Sequence, residues 1–499
     1  MKKESILDQL KEYRGIGYYP FHMPGHKRSN IEEGLALPNP FLIDITEIEG
    51  FDNLHQPEGI LKESMKRAAQ IYGSDETHYL VNGSSCGILS GICGCTSPGG
   101  KLLISRNCHK SVYHGILLNQ LQTEYIYPQI IKDLGIQGGI LPEDVEKKLK
   151  NHPEIQAVVM VSPTYEGMVS DIEKISQIVH RYHIPLIVDE AHGAHFSFGE
   201  EGEFPISALQ KGADVVIQSL HKTLPSLTQT AILHMKEKYL GKEGMERIRR
   251  YLSIFQSSSP SYVFMISMEN CIRYMEQKGR KRLSQFHQKL MDLYEIQKKL
   301  QHIIIPGNEW IGQAGVYDKD SSKILMMPES SRKNGVWLKD YLKVFHHLEL
   351  EMCTERYSLA LTSLLDSQES LDKLKRGIYM ADQEIQGEER IPLNISQDFE
   401  AWNTTSAYTI AEAVDMPSQL ERLEQCAGRL SAEFVAVYPP GIPCLVPGEQ
   451  ISHKMVEALT RYWKIGLTIM GATVQENGMF LKVLTEKDER VTVYSPTGV

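Results

Sequence analysis

Apolar positions change their period along the chain, and those changes divide it. Residues 1–60 carry few periodic segments and read as an arm. From Leu61 to about Ser253, helix-spaced patterns alternate with short β-branched runs. Ile172, Ile175, Val179 and Tyr182 fall on one helical face, and the run Ile184-Pro185-Leu186-Ile187-Val188 that follows reads as a buried strand. Lys101 to Ile104 and Ala213-Asp214-Val215-Val216-Ile217-Gln218 have the same strand-like character. This alternation predicts an α/β domain over 61–302 with a mostly parallel sheet, whose ligands should lie at the carboxyl ends of the strands. A charged helical stretch over 269–300 leads out of it. Residues 303–380 read as a smaller α/β unit, in which His347-Leu348-Glu349-Leu350-Glu351-Met352 alternates as an edge strand does. The polar, acidic segment 381–390 reads as a linker, and 391–499 as a last domain with Tyr438-Pro439-Pro440-Gly441-Ile442-Pro443 as its least helix-compatible stretch.

Composition narrows the class. A chain of 499 residues has room for three domains of roughly 150 residues and a large core. Its 41% hydrophobic and 23% charged residues are ordinary for a soluble protein, and the net charge of -10 argues against a nucleic-acid partner. Mild acidity usually serves solubility and can also help draw in cationic substrates. No apolar run approaches about 18 residues, and Met1-Lys2-Lys3-Glu4-Ser5-Ile6-Leu7-Asp8 carries charge where a signal peptide needs an apolar segment, so a cytoplasmic protein without membrane partners is expected. The 8 cysteines are scattered, and Cys93-Gly94-Cys95 is spaced too closely for a common zinc pair; buried thiols and no metal site are expected.

Candidate chemistry then concentrates after the strands. Asp189 closes the run 184–188, and Lys222 follows the run 213–218 in Ser219-Leu220-His221-Lys222-Thr223. A carboxylate and a lysine at the ends of two buried strands suit pyridoxal 5'-phosphate (PLP): the amine forms a Schiff base with the aldehyde, and the carboxylate keeps the pyridine nitrogen protonated. Lys222 must be neutral to attack a carbonyl, against a free pKa of about 10.4, so its surroundings must depress it. Ser84, Ser85 and Cys86, in Val81-Asn82-Gly83-Ser84-Ser85-Cys86-Gly87, offer amides and hydroxyls at a helix start for a phosphate, though a plain helix cap has the same composition. His109 follows the 101–104 strand, as a cap or as a flat face for the pyridoxal ring. Ala191 is small enough to let a ring lie close to the backbone, and Ser219 and His221 can contact phosphate or shuttle protons.

With these residues in view, the chain resembles the Orn/Lys/Arg decarboxylases of PLP fold type I, most closely the shorter bacterial arginine-decarboxylase-like branch without an N-terminal wing domain. The resemblance is carried by Phe21-His22-Met23-Pro24-Gly25-His26-Lys27, Asp44-Ile45-Thr46-Glu47, Arg106-Asn107-Cys108-His109-Lys110-Ser111, Ser162-Pro163-Thr164-Tyr165-Glu166-Gly167, Val188-Asp189-Glu190-Ala191-His192-Gly193-Ala194-His195 and Ser219-Leu220-His221-Lys222-Thr223-Leu224-Pro225. Tyr438-Pro439-Pro440-Gly441-Ile442-Pro443 and Pro447-Gly448-Glu449 resemble the family's C-terminal domain. The resemblance implies that Lys222 carries the Schiff base, Asp189 pairs with the pyridine nitrogen and His109 stacks on the ring. It also implies that Ser84, Ser85, Ser219 and His221 hold the phosphate side, with His192 close to the ring. It further implies a homodimer or higher homo-oligomer with shared active sites, Ser258 lying in the stretch 256–262 that reaches the partner. Large rings are not implied for a chain without a wing.

The resemblance implies decarboxylation of a basic amino acid, arginine before lysine or ornithine, to an amine and CO2, related to polyamine formation or acid stress. Glu351 resembles the family's contact to the substrate's distal cation, with a spacing to Tyr357 one residue longer than usual. The segment 396–402 lacks the Pro-Arg pair that relatives show ahead of an aromatic residue. Two other readings remain at this level. An aminotransferase or lyase of fold type I uses the same Asp and Lys and usually anchors the α-carboxylate with an arginine, for which Arg356 is the candidate. A non-catalytic paralogue would bind PLP or a true decarboxylase and regulate it.

Overall fold

The computed structural model describes residues 5–28, 34–199, 202–330, 332–388, 404–439, 441–476 and 478–485. The arm is more ordered than its sequence suggested. Ser5 and Asp8 form a capping box that starts a helix over Ile6–Ile16, and strand β1 (Tyr19–Phe21) pairs in parallel with Leu348–Leu350, more than three hundred residues away. None of that helix is buried: Ile6 is 81% and Leu10 59% exposed.

The large domain is built on seven strands: β2 (Glu76–Leu80), β3 (Lys101–Ser105), β4 (Gln122–Ile126), β5 (Ile155–Val161), β6 (Leu186–Asp189), β7 (Val215–Gln218) and β8 (Ala231–Met235). Their order is β2-β8-β7-β6-β5-β3-β4, and only β8 runs against its neighbours. The inner strands are apolar along their length because both faces are covered. Leu103, Val158, Met160, Val188, Val216 and Ile232 join one core, while Leu102, Ile104, Ala157, Val159, Ile187, Val215, Ile217 and Leu233 join the other. Each of these Val, Leu, Ile and Met side chains contributes roughly 1.5–3 kcal/mol on burial. The 3.6-residue pattern at Ile172, Ile175 and Val179 is the buried face of the helix Ile172–Arg181. On the opposite face the helix Gly83–Cys95 lies tight against Glu237–Phe255, where a Cβ at Gly94 would stand 2.8 Å from the Ile248 nitrogen.

The charged stretch over 269–300 is a nearly unbroken helical run, Tyr262–Tyr274, Met275–Gly279, Arg280–Tyr294 and Glu295–Lys299. It leads to an antiparallel sheet of β9 (Ile303–Ile304), β10 (Lys323–Pro328), β11 (Met352–Cys353) and β12 (Ser358–Leu361), in the order β9-β10-β12-β11. Leu348–Leu350 is drawn off to pair with the arm, so the alternating edge pattern belongs to two sheets. One expectation is corrected here. The helix Gln368–Ile385 runs into the segment expected as linker, because Ala381 and Ile385 are apolar at helical spacing and buried in the core. The C-terminal region packs two three-stranded sheets, Ser418–Arg422 with Gly478–Leu484 and Ala472–Gln475, and Ile442–Leu445 with Val435–Tyr438 and Thr468–Met470. The altered segment 396–402 lies outside the described residues. Among the described residues, no helix is long and apolar enough to cross a membrane.

Candidate active site

The carboxyl ends of four adjacent strands open into one cavity of 760 Å³. Asp189 is the last residue of β6, Ser219, His221 and Lys222 follow β7, Asn107 and His109 follow β3, and Thr164 to Glu166 follow β5; all line it. The arm adds His22 and Met23, the small domain Glu349 and Glu351, and the C-terminal region Tyr438, Pro439 and Ile442.

Lys222 sits in the short helix Leu220–Thr223, its Nζ 3.0 Å from Nε2 of His192. Burial lowers its proton affinity, Asp189 and Glu351 raise it, and the nearby Lys323 lowers it again, for a net depression. That is the direction an attacking amine needs. Asp189 accepts a hydrogen bond from the Ala191 amide at 3.1 Å, and burial pushes its carboxyl above the usual range against the pull of Lys222. A positive group set against it would restore the ionised form.

Three histidines surround the lysine in neutral form. His109 caps the helix Lys110–Leu118: its Nδ1 accepts from the Ser111 amide at 3.3 Å, leaving the proton on Nε2. Burial, then Lys222, push it down to about 3. His221 donates from Nδ1 to the Thr230 carbonyl at 2.8 Å and is pushed down by burial to about 4. His192 packs its ring 4.4 Å from that of Tyr165, and burial holds it well below the ordinary imidazole value. At the far end Ser84 Oγ and Ser219 Oγ are 2.6 Å apart, beside the first turn of Gly83–Cys95, which has no side-chain cap over its amides.

Three residues named from the sequence do not reach the main cavity with their side chains. Cys86 turns its Sγ back to the Gly83 carbonyl, 3.0 Å away, and packs in the core. Its amide remains in the helix's first turn. Ser258 is exposed on the surface of the single chain, outside the cavity lining. Arg356, the candidate carboxylate anchor of the aminotransferase reading, lines a smaller 130 Å³ cavity with Met352, Val437 and Tyr462, and does not line the main one.

Glu351 does line the main cavity. Its Oε2 accepts from the Met23 amide at 2.9 Å and its Oε1 from the Tyr165 hydroxyl at 2.5 Å. The Met23 contact explains the arm motif. Gly25 donates its amide to the His221 carbonyl at 2.7 Å, so closely that a Cβ there would strike the Leu224 backbone, and Lys27 reaches the Leu361 carbonyl at 2.6 Å. The arm thus straps the Lys222 turn to the small domain. Tyr165, Asn107, Met23 and Tyr438 lie in segments that carry the resemblance but were given no role in the site from the sequence. The first two obey the same strand-end rule as Asp189, whereas the others come from distant segments without a local signal.

The residues present fit PLP. An amine, a buried carboxylate, neutral imidazoles and a hydroxyl-lined helix start share one cavity, and the buried Asn107 Oδ1 and His192 Nδ1 that line it have no hydrogen-bond partner among the described residues.

Comparison with known proteins agrees with this chemistry. Residues 5–322 match the model "Orn/Lys/Arg decarboxylase, major domain" and residues 394–473 match "Orn/Lys/Arg decarboxylase, C-terminal domain". The chain is 30% identical to an arginine decarboxylase of Bacillus subtilis (strain 168), over 93% of this chain and 94% of that one. It is 31% identical to an arginine decarboxylase of Halalkalibacterium halodurans, over 90% and 91%. The solved structure of lysine decarboxylase A from Pseudomonas aeruginosa superposes with a TM-score of 0.73 at 17% identity, covering 97% of this chain and 84% of that one. The chain therefore belongs to the Orn/Lys/Arg decarboxylase family, and is a PLP-dependent amino acid decarboxylase of fold type I.

Proposed function

We propose that the protein decarboxylates arginine, and lysine or ornithine less well, to the corresponding amine and CO2. The observation that carries this reading is Glu351, a carboxylate in the same cavity as Lys222, fixed by the Met23 amide and the Tyr165 hydroxyl. A site that holds a half-buried acceptor for a cation disfavours substrates lacking one, because the carboxylate then loses that partner. The preference for arginine is supported by the names of the relatives at about 30% identity. An arginine anchor for an α-carboxylate, as the aminotransferase reading requires, has no support from Arg356, which faces the smaller cavity.

When bound, the cofactor supplies an aldehyde for amine exchange and a ring that takes up the electron pair left by the departing CO2. In this reading Lys222 Nζ would be the amine that takes the cofactor's aldehyde, Asp189 would hold its pyridine nitrogen protonated, and His109 would lie against its ring. Ser84, Ser85, Ser219 and His221, with the amide of Cys86, bind the phosphate, and Ala191 gives the ring room. His192 Nε2, 3.0 Å from Lys222 Nζ, is placed to exchange a proton with it. Each turnover puts a proton on Cα where the carboxylate was, so the reaction consumes acid, in keeping with a role in polyamine formation or acid stress.

The same reading makes the working unit a homodimer. It is supported by the uncovered arm, where Phe41 is 93% and Leu42 79% exposed, and by Ser258, which lies on an exposed turn free to enter a partner's cavity. The eight cysteines are all thiols, in keeping with a reducing cytoplasm. The chain would divide into an arm over 1–60, a cofactor domain over 61–302, a small domain from 303 and a C-terminal domain over 391–499.

The test is incubation of the purified protein with PLP and each of arginine, lysine and ornithine in turn, with agmatine, cadaverine and putrescine measured. Agmatine is expected to form fastest. Keto acid without CO2 would instead support an aminotransferase.

A further inference from the structure

A buried ion pair stands behind the cavity wall, outside the groups that face it. Lys323, the first residue of β10, and Asp320 just before it both have fully buried side chains. Lys323 Nζ donates to Asp320 Oδ2 at 3.0 Å, to Ser322 Oγ at 3.3 Å and to the backbone carbonyl of His192 at 3.4 Å. Asp320 Oδ1 lies 3.3 Å from His195 Nε2, and its amide donates to the Gly167 carbonyl at 2.8 Å. The pair therefore joins the small sheet to two loops of the large domain. One carries Tyr165, the other His192. Gly167 has φ +93° and lies so close that a Cβ there would stand 2.9 Å from Lys323 Cγ.

Burying two charges costs several kcal/mol, and an apolar side chain of similar length fills such a space more cheaply. What the lysine adds is a directed bond to one peptide, that of the residue whose imidazole meets Lys222. Resting on the reading of Lys222 as the Schiff-base lysine, we propose that Lys323, paired with Asp320, is a positioning residue that fixes the His192 imidazole against Lys222 and sets the electrostatic environment of its Nζ.

Lys222 is faced by Asp189 from β6, His192 and His109 from the loops after β6 and β3, and Glu351 from the small domain, with His221 beside it in its own helix and Lys323 of β10 acting on it from behind the cavity wall. Asp189 and Glu351 favour the protonated amine, and Lys323 opposes them. Loss of Lys323 should therefore raise the proton affinity at this nitrogen.

The experiment compares Lys323→Met/Asp320→Asn, which leaves neither partner unpaired, with Lys319→Met. Lys319 is another buried lysine; it donates to the Pro306 carbonyl and the Tyr294 hydroxyl and does not line the cavity. In the protein without cofactor, amide hydrogen exchange across 189–195 should speed up by about 10-fold or more in the double variant and stay unchanged in the control. With PLP bound, the pH midpoint of the Schiff-base absorbance should rise by about one unit in the double variant only. If the double variant does not fold, Lys323→Arg, which keeps the charge but moves its donors, should speed up exchange across 189–195 while leaving the pH midpoint nearly unchanged. Unaltered exchange in the variant that folds, or a midpoint unaltered or lowered in the folded double variant, overturns the proposal. Absence of a Schiff-base band in the unsubstituted protein would refute the reading of Lys222 instead, and the exchange measurement would still judge Lys323.

Discussion

Arg106 and Glu449 form an ion pair at 3.0 Å in which neither side chain is more than 1% exposed. Arg106 leaves strand β3 three residues before His109, and Glu449 belongs to the C-terminal region. The guanidinium also donates to the carbonyls of Pro443 at 2.6 Å and Cys444 at 3.2 Å, and to the Tyr113 hydroxyl at 2.9 Å. These bonds hold the turn between Val435–Tyr438 and Ile442–Leu445 over the cavity, so that a Cβ at Gly441 would stand 3.9 Å from His109 Nε2.

Removing one partner leaves a buried charge unpaired, so Glu449→Ala should cost about 3–5 kcal/mol by denaturant titration. Arg106→Met/Glu449→Leu should recover much of that loss. Equal stability of Glu449→Ala and the unsubstituted protein would contradict the role given to the pair.

Lys222→Ala should abolish both the Schiff-base absorbance and turnover while leaving the fold intact, since the side chain faces the cavity. Undiminished amine production by that variant would remove the lysine from the chemistry and revive a regulatory reading.

Glu351→Gln should lower kcat/KM for the basic amino acids by about 10- to 100-fold, the size of a lost hydrogen bond to a charged group. The loss should be smaller for an uncharged amino acid of similar length, such as norleucine. Equal losses for both would mean that Glu351 acts on the arm and Tyr165 alone, without reading the substrate's cation.

The buried histidines make stability depend on pH in a stated direction. His109, His221 and His234 fall to about 3, about 4 and about 3 when folded, whereas unfolded imidazoles titrate near 6.5. Between those values the unfolded chain binds more protons, so these groups make stability rise with pH and lose it as pH falls below about 6.5. Glu190, raised by burial to about 7, acts oppositely between about 4.5 and 7. Among the described residues eight histidines are lowered on folding and four carboxyls, Asp189, Glu190, Asp318 and Asp366, are raised, which leaves a net gain, so the cofactor-free protein should become harder to unfold in urea from about pH 4.5 to 6.5. A flat or falling profile would contradict the buried, neutral state of these rings.

The sequence made the large domain and half of the site readable for one physical reason: strands covered on both faces are written as continuous apolar runs, and whatever follows them stands at the sheet's carboxyl edge. Asp189, Lys222 and His109 were found in that way. Cys86 shares a turn with Ser84 and Ser85, but helical rotation points its thiol into the core, a difference that composition does not carry. Contacts between distant segments were the least legible. Met23 lies 328 residues from the Glu351 it supports, and Lys323 lies 131 from His192. The arm helix lacked a signal of burial because it has none within the chain.

The central claim is that the cavity decarboxylates basic amino acids and reads their cationic end. It is tested most directly by offering the PLP-loaded protein arginine, lysine and ornithine together at equal concentration and measuring the amines by mass spectrometry. The account expects agmatine in excess over cadaverine and putrescine. Formation of none of the three amines would contradict it.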